Sequence, residues 1–440
     1  MQAVRGMQDF LPEKADVITH IESKAREVFN LFGYGEIRTP ILEPLPLFER
    51  ALGQTSDIVE KEMFTLKDRG DRLLVLRPEG TAGVVRSFIE NSLGKKSAAT
   101  RLFYVGPMFR AERPQAGRFR QFHQIGSEYF GNASPSADAE TIVLAARILQ
   151  SAVTGFLTGE DEKWIRASGF AQFSDLFEIR LNSLGCKECR PVYQRKLLDF
   201  LHGKIADLCD DCKRRMEKNP LRALDCKADV EKLKDAPKSL ESLCGECRNH
   251  HEKVKSLLSA AGCTFKETPQ MVRGLDYYTR TVFEIYPSNK TGSQDALAAG
   301  GRYDGLVEEL GGEATPAVGF ALGVERVSNC LAETATPQEE KTRENGIFVA
   351  SLGEKSLEKC FEILNLLRSN GIKATGLINN QSLKSQMRLA DSLGARFCVI
   401  IGDDELKDNF ASLKDLGLKT QEKVPMQELI DTLKKKIPAQ

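Results

Sequence analysis

Apolar side chains near the start of the chain recur at steps of three and four residues, the period of a helix face. Ile18, Ile21 and Ala25 follow this spacing within residues 13–32. Gly33 stands where such a helix would end, and glycine is the usual residue just beyond a helix C-terminus. The pattern predicts an amphipathic helix over residues 13–32 that packs on a core.

Residues 101–110 and 118–130 predict two strands joined by the polar turn AERPQAG. Successive side chains of a strand point to opposite faces, so Arg120, Phe122, Gln124 and Glu128 share one face. A face with an arginine, an aromatic ring, an amide and a carboxyl group is too polar for a core. This face is therefore predicted to form the floor of a polar pocket.

His123 is a candidate general base by residue type alone. The same alternation places it on the face opposite Gln124, which favours a structural role over a catalytic one. The chain contains no spacing typical of a Ser-His-Asp triad or of a zinc hydrolase.

From Gly346 onward, apolar strand-like stretches alternate with helix-like ones. The predicted strands are GIFVA, GIKATGL and RFCVIIG, and the predicted helices are 354–369 and 382–393. This alternation is typical of βαβ units and predicts a small, mostly parallel sheet.

The 440 residues suit two or three domains. Residues 185–265 read as helical and rich in cysteine, and residues 329–345 are polar. We therefore predict a domain over 1–328 that is interrupted by a helical insertion at 185–265. A linker at 329–345 and a second domain at 346–440 follow.

Hydrophobic residues make up 41% and charged residues 28% of the chain, and the formal net charge is zero. Zero net charge argues against a wholesale electrostatic coat on nucleic acid, although residues 101–123 form a locally arginine-rich stretch. The longest apolar runs are strand-sized and no secretory leader is recognised. We expect a cytoplasmic protein that does not span a membrane.

Four separated segments carry most of the candidate chemistry. They are LRPEGTAG (76–83), FRAERPQAGRFRQFHQIGSE (109–128), RGLDYYTRTVFE (273–284) with AGGRYDGL (299–306), and GFALGVERV (319–327). Together they resemble the class II aminoacyl-tRNA synthetases, and the third segment resembles the histidyl-tRNA synthetases in particular. The resemblance implies an α+β catalytic domain with an antiparallel sheet flanked by helices, a helical insertion and a C-terminal α/β anticodon-binding domain. TPILEP resembles the first class motif, which usually builds a dimer interface, so a homodimer is implied.

The resemblance also implies a reaction: ligation of L-histidine to tRNA(His) through a histidyl-adenylate, with ATP and Mg²⁺. Arg110 and Arg273 are the implied catalytic residues, at the α-phosphate. Glu112 and Phe122 would hold the adenine, and Arg326 the γ-phosphate. Arginine suits this task because its planar fork holds phosphate oxygens and stays charged.

The implied histidine pocket pairs acceptors for an ammonium group with partners for an imidazole. Its residues are Glu79, Thr81 and Gln124 for the ammonium, Glu128 and Tyr278 for the imidazole, Arg273 for the carboxylate, and Tyr277 and Tyr303 from the same segments. By analogy, the turn residues Arg113, Gln115 and Arg118 meet the acceptor end of the tRNA.

Two rival functions share parts of this pattern. A non-catalytic regulatory subunit of ATP phosphoribosyltransferase shares much of the fold, but is expected to lack the C-terminal domain and the RGLDYY segment. Class II synthetases for glycine, threonine or proline share the C-terminal domain type, but not the RGLDYYTRT and AGGRYDG pair.

Seven of the eleven cysteines fall between Cys186 and Cys247, which indicates metal binding rather than disulfides in a reducing compartment. Two CxxC pairs have a glycine in or beside them, as zinc knuckles do. They predict a structural zinc site formed by Cys186, Cys189, Cys244 and Cys247. Many members of the family lack these cysteines. Free thiols, or a different pairing that uses Cys209, Cys212 and Cys226, are the alternatives.

Overall fold

A computed structural model describes residues 1–53, 56, 58–114, 117–154, 176–226, 228–272, 274–288, 296–334, 346–376 and 382–437. The chain forms two compact units, Met1–Ala335 and Thr336–Gln440. Within the described ranges, no helix is both long and apolar enough to span a bilayer.

The first unit contains a large sheet and a small one. Its strands are β1 (Gly35–Glu36), β2 (Leu42–Pro44), β3 (Phe64–Lys67), β4 (Leu73–Leu76), β5 (Thr100–Phe109), β6 (Gln121–Phe130), β7 (Phe177–Ser183), β8 (Lys266–Glu267), β9 (Thr279–Pro287), β10 (Ala298–Arg302) and β11 (Ala317–Gly323). The eight-stranded sheet has the order β1-β5-β6-β11-β10-β9-β7-β8, and the three-stranded sheet the order β2-β4-β3. The large sheet is antiparallel from β5 to β7, and only its two edge strands pair in parallel.

Helices cover this sheet and fill the segment between β7 and β8. They are α1 (Pro12–Leu31), α2 (Leu45–Leu52), α3 (Thr81–Glu90), α4 (Leu93–Lys96), α5 (Pro135–Thr154), α6 (Cys189–Gly203), α7 (Asp210–Lys218), α8 (Gly245–Ala260), α9 (Leu306–Glu309) and α10 (Val324–Thr334). Short 3₁₀ turns lie at Ile205–Asp207, Pro220–Asp225, Val230–Leu233 and Ser239–Ser242. A single π-helical turn lies at Ile58–Glu62.

Helix α1 matches the predicted helix to within one residue at each end. Ile18, Ile21 and Ala25 are buried on its inner face, together with Phe29. The ring of Phe29 stacks on Phe103 of β5 at a centroid distance of 4.3 Å. One face of the sheet is therefore closed by helices, and the opposite face is left for the polar side chains of β6.

Segment 185–265 shares its packing with the rest of the first unit. Val254 and Leu258 of α8 are buried in the same apolar cluster as Ile142 and Leu149 of α5. Helix α10 runs to Thr334, so it extends into the stretch from residue 329 that we predicted to be linker. Residues 335–345 of that stretch lie outside the described residues.

The second unit is a five-stranded sheet with helices on it. Its elements are β12 (Ile347–Ser351), α11 (Ser356–Ser369), β13 (Ala374–Gly376), α12 (Leu383–Ser392), β14 (Phe397–Ile401), α13 (Asp403–Lys407), β15 (Phe410–Asp415), β16 (Thr420–Pro425) and α14 (Leu429–Lys436). The order is β13-β12-β14-β15-β16. The first three strands are parallel, as predicted, but β15 and β16 are antiparallel. The prediction of a mostly parallel sheet missed this hairpin.

Candidate active site

A cavity of about 590 Å³ opens on the polar face of the large sheet. Every described residue that we predicted to bind ATP or histidine lines it. These residues are Glu79, Thr81, Arg110, Glu112, Phe122, Gln124, Glu128, Tyr277, Tyr278, Tyr303 and Arg326. Arg273 lies outside the described residues, but its neighbours Val272 and Gly274 line the same cavity. We call this cavity the cleft.

Glu79 and Glu128 are two of the buried carboxyl groups that line the cleft. Glu128 accepts hydrogen bonds from the hydroxyl groups of Thr81, at 2.7 Å, and of Tyr303. Glu79 accepts from the backbone amides of Thr81 and Ala82, at 2.7 and 2.8 Å, in the first turn of α3. Burial raises the pKa of Glu128 to about 8 and also raises the pKa of Glu79. A positively charged ligand would stabilise the ionised form of both carboxyl groups, so this part of the cleft suits a cation.

Gln124 adds an acceptor to this site. Its side-chain oxygen is buried and accepts no hydrogen bond from any described residue. A buried acceptor without a donor costs free energy, which a bound N–H donor would recover. Glu79, Gln124 and Glu128 therefore form a set of acceptors suited to a ligand with several N–H groups.

Close backbone packing fixes the position of Glu128. In the pairing of β6 with β11, Glu128 lies opposite Gly319. A Cβ atom at Gly319 would overlap the Glu128 carboxylate and the backbone oxygen of Ser127, so only glycine fits. The glycine in GFALGVERV thus makes room for the carboxyl group of the neighbouring strand.

Three tyrosines line another part of the cleft. The ring of Tyr277 lies 4.7 Å from Tyr278 and 5.5 Å from Tyr303, measured between centroids. Burial raises the pKa of Tyr277 and of Tyr303 well above its usual value, so both stay neutral donors. Arg302, next to Tyr303, is fully buried and pairs with Asp138 of α5. This ion pair anchors the end of β10.

Arginine side chains supply positive charge elsewhere in the cleft. Arg110 follows β5, donates to the Pro78 carbonyl at 3.0 Å and lies 5.3 Å above the Phe122 ring. Arg326 is in the first turn of α10 and donates to the Ala296 carbonyl at 2.8 Å. These backbone hydrogen bonds hold the two guanidinium groups in position in the cleft.

The family assignment rests on comparison with known proteins. The model of the histidyl-tRNA synthetase family matches residues 6–327, and the model of an anticodon-binding domain matches residues 346–436. The chain belongs to the histidyl-tRNA synthetase family. The class II fold predicted from the sequence is thereby confirmed.

Relatives match over nearly their whole length. Histidine–tRNA ligase from Thermosipho melanesiensis is 44% identical over 437 residues, covering 99% of both chains. The ligase from Aquifex aeolicus is 45% identical and covers 98% of this chain and 100% of that one. The crystal structure of apo S. aureus histidyl-tRNA synthetase superposes with a TM-score of 0.78 at 35% identity, over 98% of this chain and 99% of that chain. These full-length matches favour the charging enzyme over the regulatory subunit.

The residues predicted to meet tRNA are placed differently from one another. Arg118 lines the cleft, where it pairs with Glu112 at 2.9 Å. Arg113 is exposed on the turn between β5 and β6. Gln115 lies outside the described residues. The structure therefore brings Arg118 into the cleft beside Glu112, the residue predicted to hold the adenine, but it does not bring Arg113 there.

His123 lies on the helix-covered side of β6, as its strand position predicts. Its backbone N–H and its Nδ1 each lie 2.9 Å from the Glu325 carboxylate, and its ring packs on Phe10. The Glu325 hydrogen bond raises the pKa of His123. The histidine thus ties β6 to the start of α10, beside Arg326.

Sequence reasoning missed several contributors to the cleft, among them Arg222 and Glu325. Arg222 comes from the cysteine-rich segment and donates to the Gly274 carbonyl at 2.6 Å and to the Asp276 carboxylate at 3.1 Å. Nothing in the local pattern near Arg222 indicates these partners. Glu325 stands within GVER and could have been found there.

The four cysteines of the predicted zinc site come together. Their sulfur atoms all lie within 4.8 Å of one another, and the Cys186 and Cys189 sulfurs are 3.7 Å apart. The Cys247 amide donates to the Cys244 sulfur at 3.5 Å, as in a zinc knuckle. Gly185 has φ +75°, which lets the chain turn into the first CxxC pair.

Proposed function

We propose that this chain ligates L-histidine to tRNA(His), using ATP to form a histidyl-adenylate. The observation that carries the proposal is the set of buried acceptors Glu79, Gln124 and Glu128 in the same cleft as Arg110 and Arg326. A cationic, N–H-rich amino acid and a polyphosphate would find complementary groups there.

In the proposed complex the histidine ammonium lies between Glu79, Thr81 and Gln124, and the imidazole meets Glu128 and Tyr278. Each carboxylate oxygen has two lone pairs. The hydroxyls of Thr81 and Tyr303 take one on each oxygen of Glu128, so capacity remains for an imidazole N–H. A pocket that satisfies a polar side chain rejects isosteres lacking its N–H groups by roughly 10⁴–10⁵.

In the activation step a histidine carboxylate oxygen attacks the α-phosphorus of ATP, and the bond to the β-phosphate oxygen breaks as diphosphate leaves. Arg110 and Arg273 hold the α-phosphate while charge develops on it, and Arg326 holds the γ-phosphate. Glu112 and Phe122 hold the adenine. Glu284 and Glu325 line the same cleft and would offer oxygen ligands to Mg²⁺, which neutralises phosphate charge.

In the second step a terminal ribose hydroxyl of the tRNA attacks the adenylate carbonyl carbon, and AMP leaves. Arg113, Gln115 and Arg118 would contact the acceptor end, and residues 346–440 the anticodon region. Phosphate contacts of this kind fix register, while base contacts specify the tRNA. We expect the enzyme to act in the cytoplasm as a homodimer.

We also propose a structural zinc ion on Cys186, Cys189, Cys244 and Cys247. The two CxxC pairs lie at the starts of α6 and α8, so the ion would join these helices. Elemental analysis of the purified chain tests this: substituting both Cys186 and Cys189 by serine should remove one zinc ion per chain.

ATP–pyrophosphate exchange with each of the twenty amino acids tests the proposed reaction. Exchange that depends on histidine alone is expected. Folded protein that exchanges with no amino acid, with Mg²⁺ present, would contradict the proposal. Charging of tRNA(His) transcripts then tests the second step.

A further inference from the structure

A second group of metal-ligating side chains lies in the cysteine-rich segment. Cys209 and Cys212 stand at the start of α7, and Cys226 follows the 3₁₀ turn Pro220–Asp225. Asp229 comes three residues later. The three sulfurs and one carboxylate oxygen of Asp229 all lie within 4.8 Å of one another.

The spacing of these atoms fits a tetrahedral zinc ion. Zinc–sulfur bonds of about 2.3 Å at tetrahedral angles place two sulfurs about 3.8 Å apart. The Cys209 and Cys226 sulfurs are 3.7 Å apart. A disulfide would need about 2.05 Å. All eleven cysteines are described, and none of them forms a disulfide.

Asp229 distinguishes this group from cysteines that only pack in a core. Its side chain is fully buried, at 0% exposure, although a buried carboxylate is costly without strong partners. It accepts hydrogen bonds from the Cys209 amide, at 2.9 Å, and from Lys232, at 2.7 Å. Such outer partners typically orient a metal-ligating carboxylate.

We propose that Cys209, Cys212, Cys226 and Asp229 bind a second zinc ion, which holds the segment 209–229 against the catalytic cleft. Within this segment the regular elements are α7 and the 3₁₀ turn Pro220–Asp225, and the four ligands lie at the start of the first and after the end of the second. A metal ion on these side chains would therefore join the two elements.

The segment reaches the cleft directly. Asn219 donates to the Asp276 carboxylate at 2.8 Å, and Arg222 donates to the same group and to the Gly274 carbonyl. Residues 274–276 lead into Tyr277 and Tyr278, which line the cleft. The second zinc ion would therefore position these tyrosines through Asn219 and Arg222.

Zinc content of the full-length chain tests the proposal. Two ions per chain are expected in the unaltered protein, and one in Cys209→Ser or Cys226→Ser. Cys263→Ser, which alters a buried cysteine outside both groups, is the matched control and should keep two. A zinc count in Cys209→Ser and Cys226→Ser equal to that of the unaltered protein would overturn the site.

Ligand type provides a measurement that does not depend on a damaging variant. X-ray absorption of the unaltered zinc protein should give an average of about 3.5 sulfur and 0.5 oxygen ligands per ion. The variant Asp229→Cys should keep both ions and raise the average to about 4 sulfurs. An unaltered average of 4 sulfurs with no oxygen excludes Asp229 as a ligand.

The link to the cleft needs a separate readout and rests on the proposed function. We expect Cys209→Ser, which alters a ligand that does not line the cleft, to raise the KM for histidine in pyrophosphate exchange on the order of tenfold or more, because small misplacements are costly in catalysis. Cys263→Ser should leave the KM unchanged. An unchanged KM in Cys209→Ser, despite the lost ion, would refute the positioning role. If no amino acid supports exchange, the proposed function fails while the zinc counts stand.

Discussion

At the scale of single residues, Glu128 is the side chain proposed to accept a hydrogen bond from the imidazole of histidine. It is 1% exposed, and its hydrogen-bond donors Thr81 and Tyr303 are neutral. We expect Glu128→Gln to raise the KM for histidine roughly 10- to 100-fold, since a hydrogen bond to a charged group contributes about 1.5–3 kcal/mol. Steady-state pyrophosphate exchange measures this change.

The matched control for that variant is Glu90→Gln, which makes the same substitution on the exposed end of α3. Its KM should equal that of the unaltered chain. A Glu128→Gln protein whose KM for histidine changes less than twofold would remove Glu128 from the pocket, whatever its effect on thermal stability.

The titration of Glu128 should be visible in the pH dependence of binding. Burial raises its pKa to about 8, so the free protein holds the carboxyl group neutral below that pH. A cationic or N–H-donating ligand favours the ionised form, and binding then releases the proton. The KM for histidine should fall as the pH rises from about 6.5 to 8.5. This slope should be absent in Glu128→Gln.

The same shift has a consequence for stability in the absence of ligand. The folded state holds the proton of the Glu128 carboxyl group more tightly than the unfolded state, in which the pKa of that group is near 4.5. The contribution of Glu128 to the free energy of unfolding therefore falls as the pH rises from 4.5 to about 8.

Strand alternation was enough to place Phe122, Gln124 and Glu128 on one polar face and His123 on the other. It could not reveal Arg222, because that side chain acts through partners more than fifty residues away along the chain. Asp229 was missed for a related reason. A single aspartate in a charged segment gives no signal until the fold brings three cysteines to it.

At the scale of elements, the contact between β6 and α10 depends on His123 and Glu325. The pKa of His123 is raised by this hydrogen bond, so the protonated ring stabilises the fold below pH 6.5, and the contribution is lost as the pH rises through the folded value. We expect His123→Leu to lower the free energy of unfolding by about 1–2 kcal/mol more at pH ~5.5 than at pH ~8.5. Urea unfolding at the two pH values measures the difference.

His202→Leu is the control for that comparison. His202 pairs with Glu217 at 3.2 Å, but the side chains are 47% and 63% exposed, and exposed pairs contribute little. Equal losses at both pH values in His123→Leu would show that the ring packs without holding a proton.

Elements with strong periodicity were the ones that sequence could place. The apolar stripe of α1 and the strand–helix alternation after Gly346 predicted the bounds of these helices to within two residues. The β15–β16 hairpin was missed because its turn depends on Asp415, whose carboxylate accepts from the Gly417 and Leu418 amides. Helix α10 continues to Thr334, into the predicted linker, because a polar composition without glycine or proline does not end a helix.

At the scale of the whole molecule, the two units divide the proposed work. Every residue of the cleft belongs to Met1–Ala335, while Thr336–Gln440 has a core of its own that includes Val349, Leu367 and Val399. We expect a chain that ends at Ala335 to keep histidine-dependent pyrophosphate exchange within about threefold. Its kcat/KM for charging tRNA(His) should fall about 100-fold or more, because a linked second binding module contributes through effective concentration.

Adding residues 336–440 as a separate chain separates the two ways in which that loss could arise. If the covalent link between the units acts by raising the effective concentration, the added unit binds tRNA but does not restore a low KM for tRNA(His). The second contact with the tRNA is then no longer intramolecular. Full rescue in trans would mean that the second unit acts on the first directly. If a folded Met1–Ala335 chain showed no pyrophosphate exchange, the cleft would depend on the second unit. That result would contradict the assignment of amino-acid activation to the first unit alone.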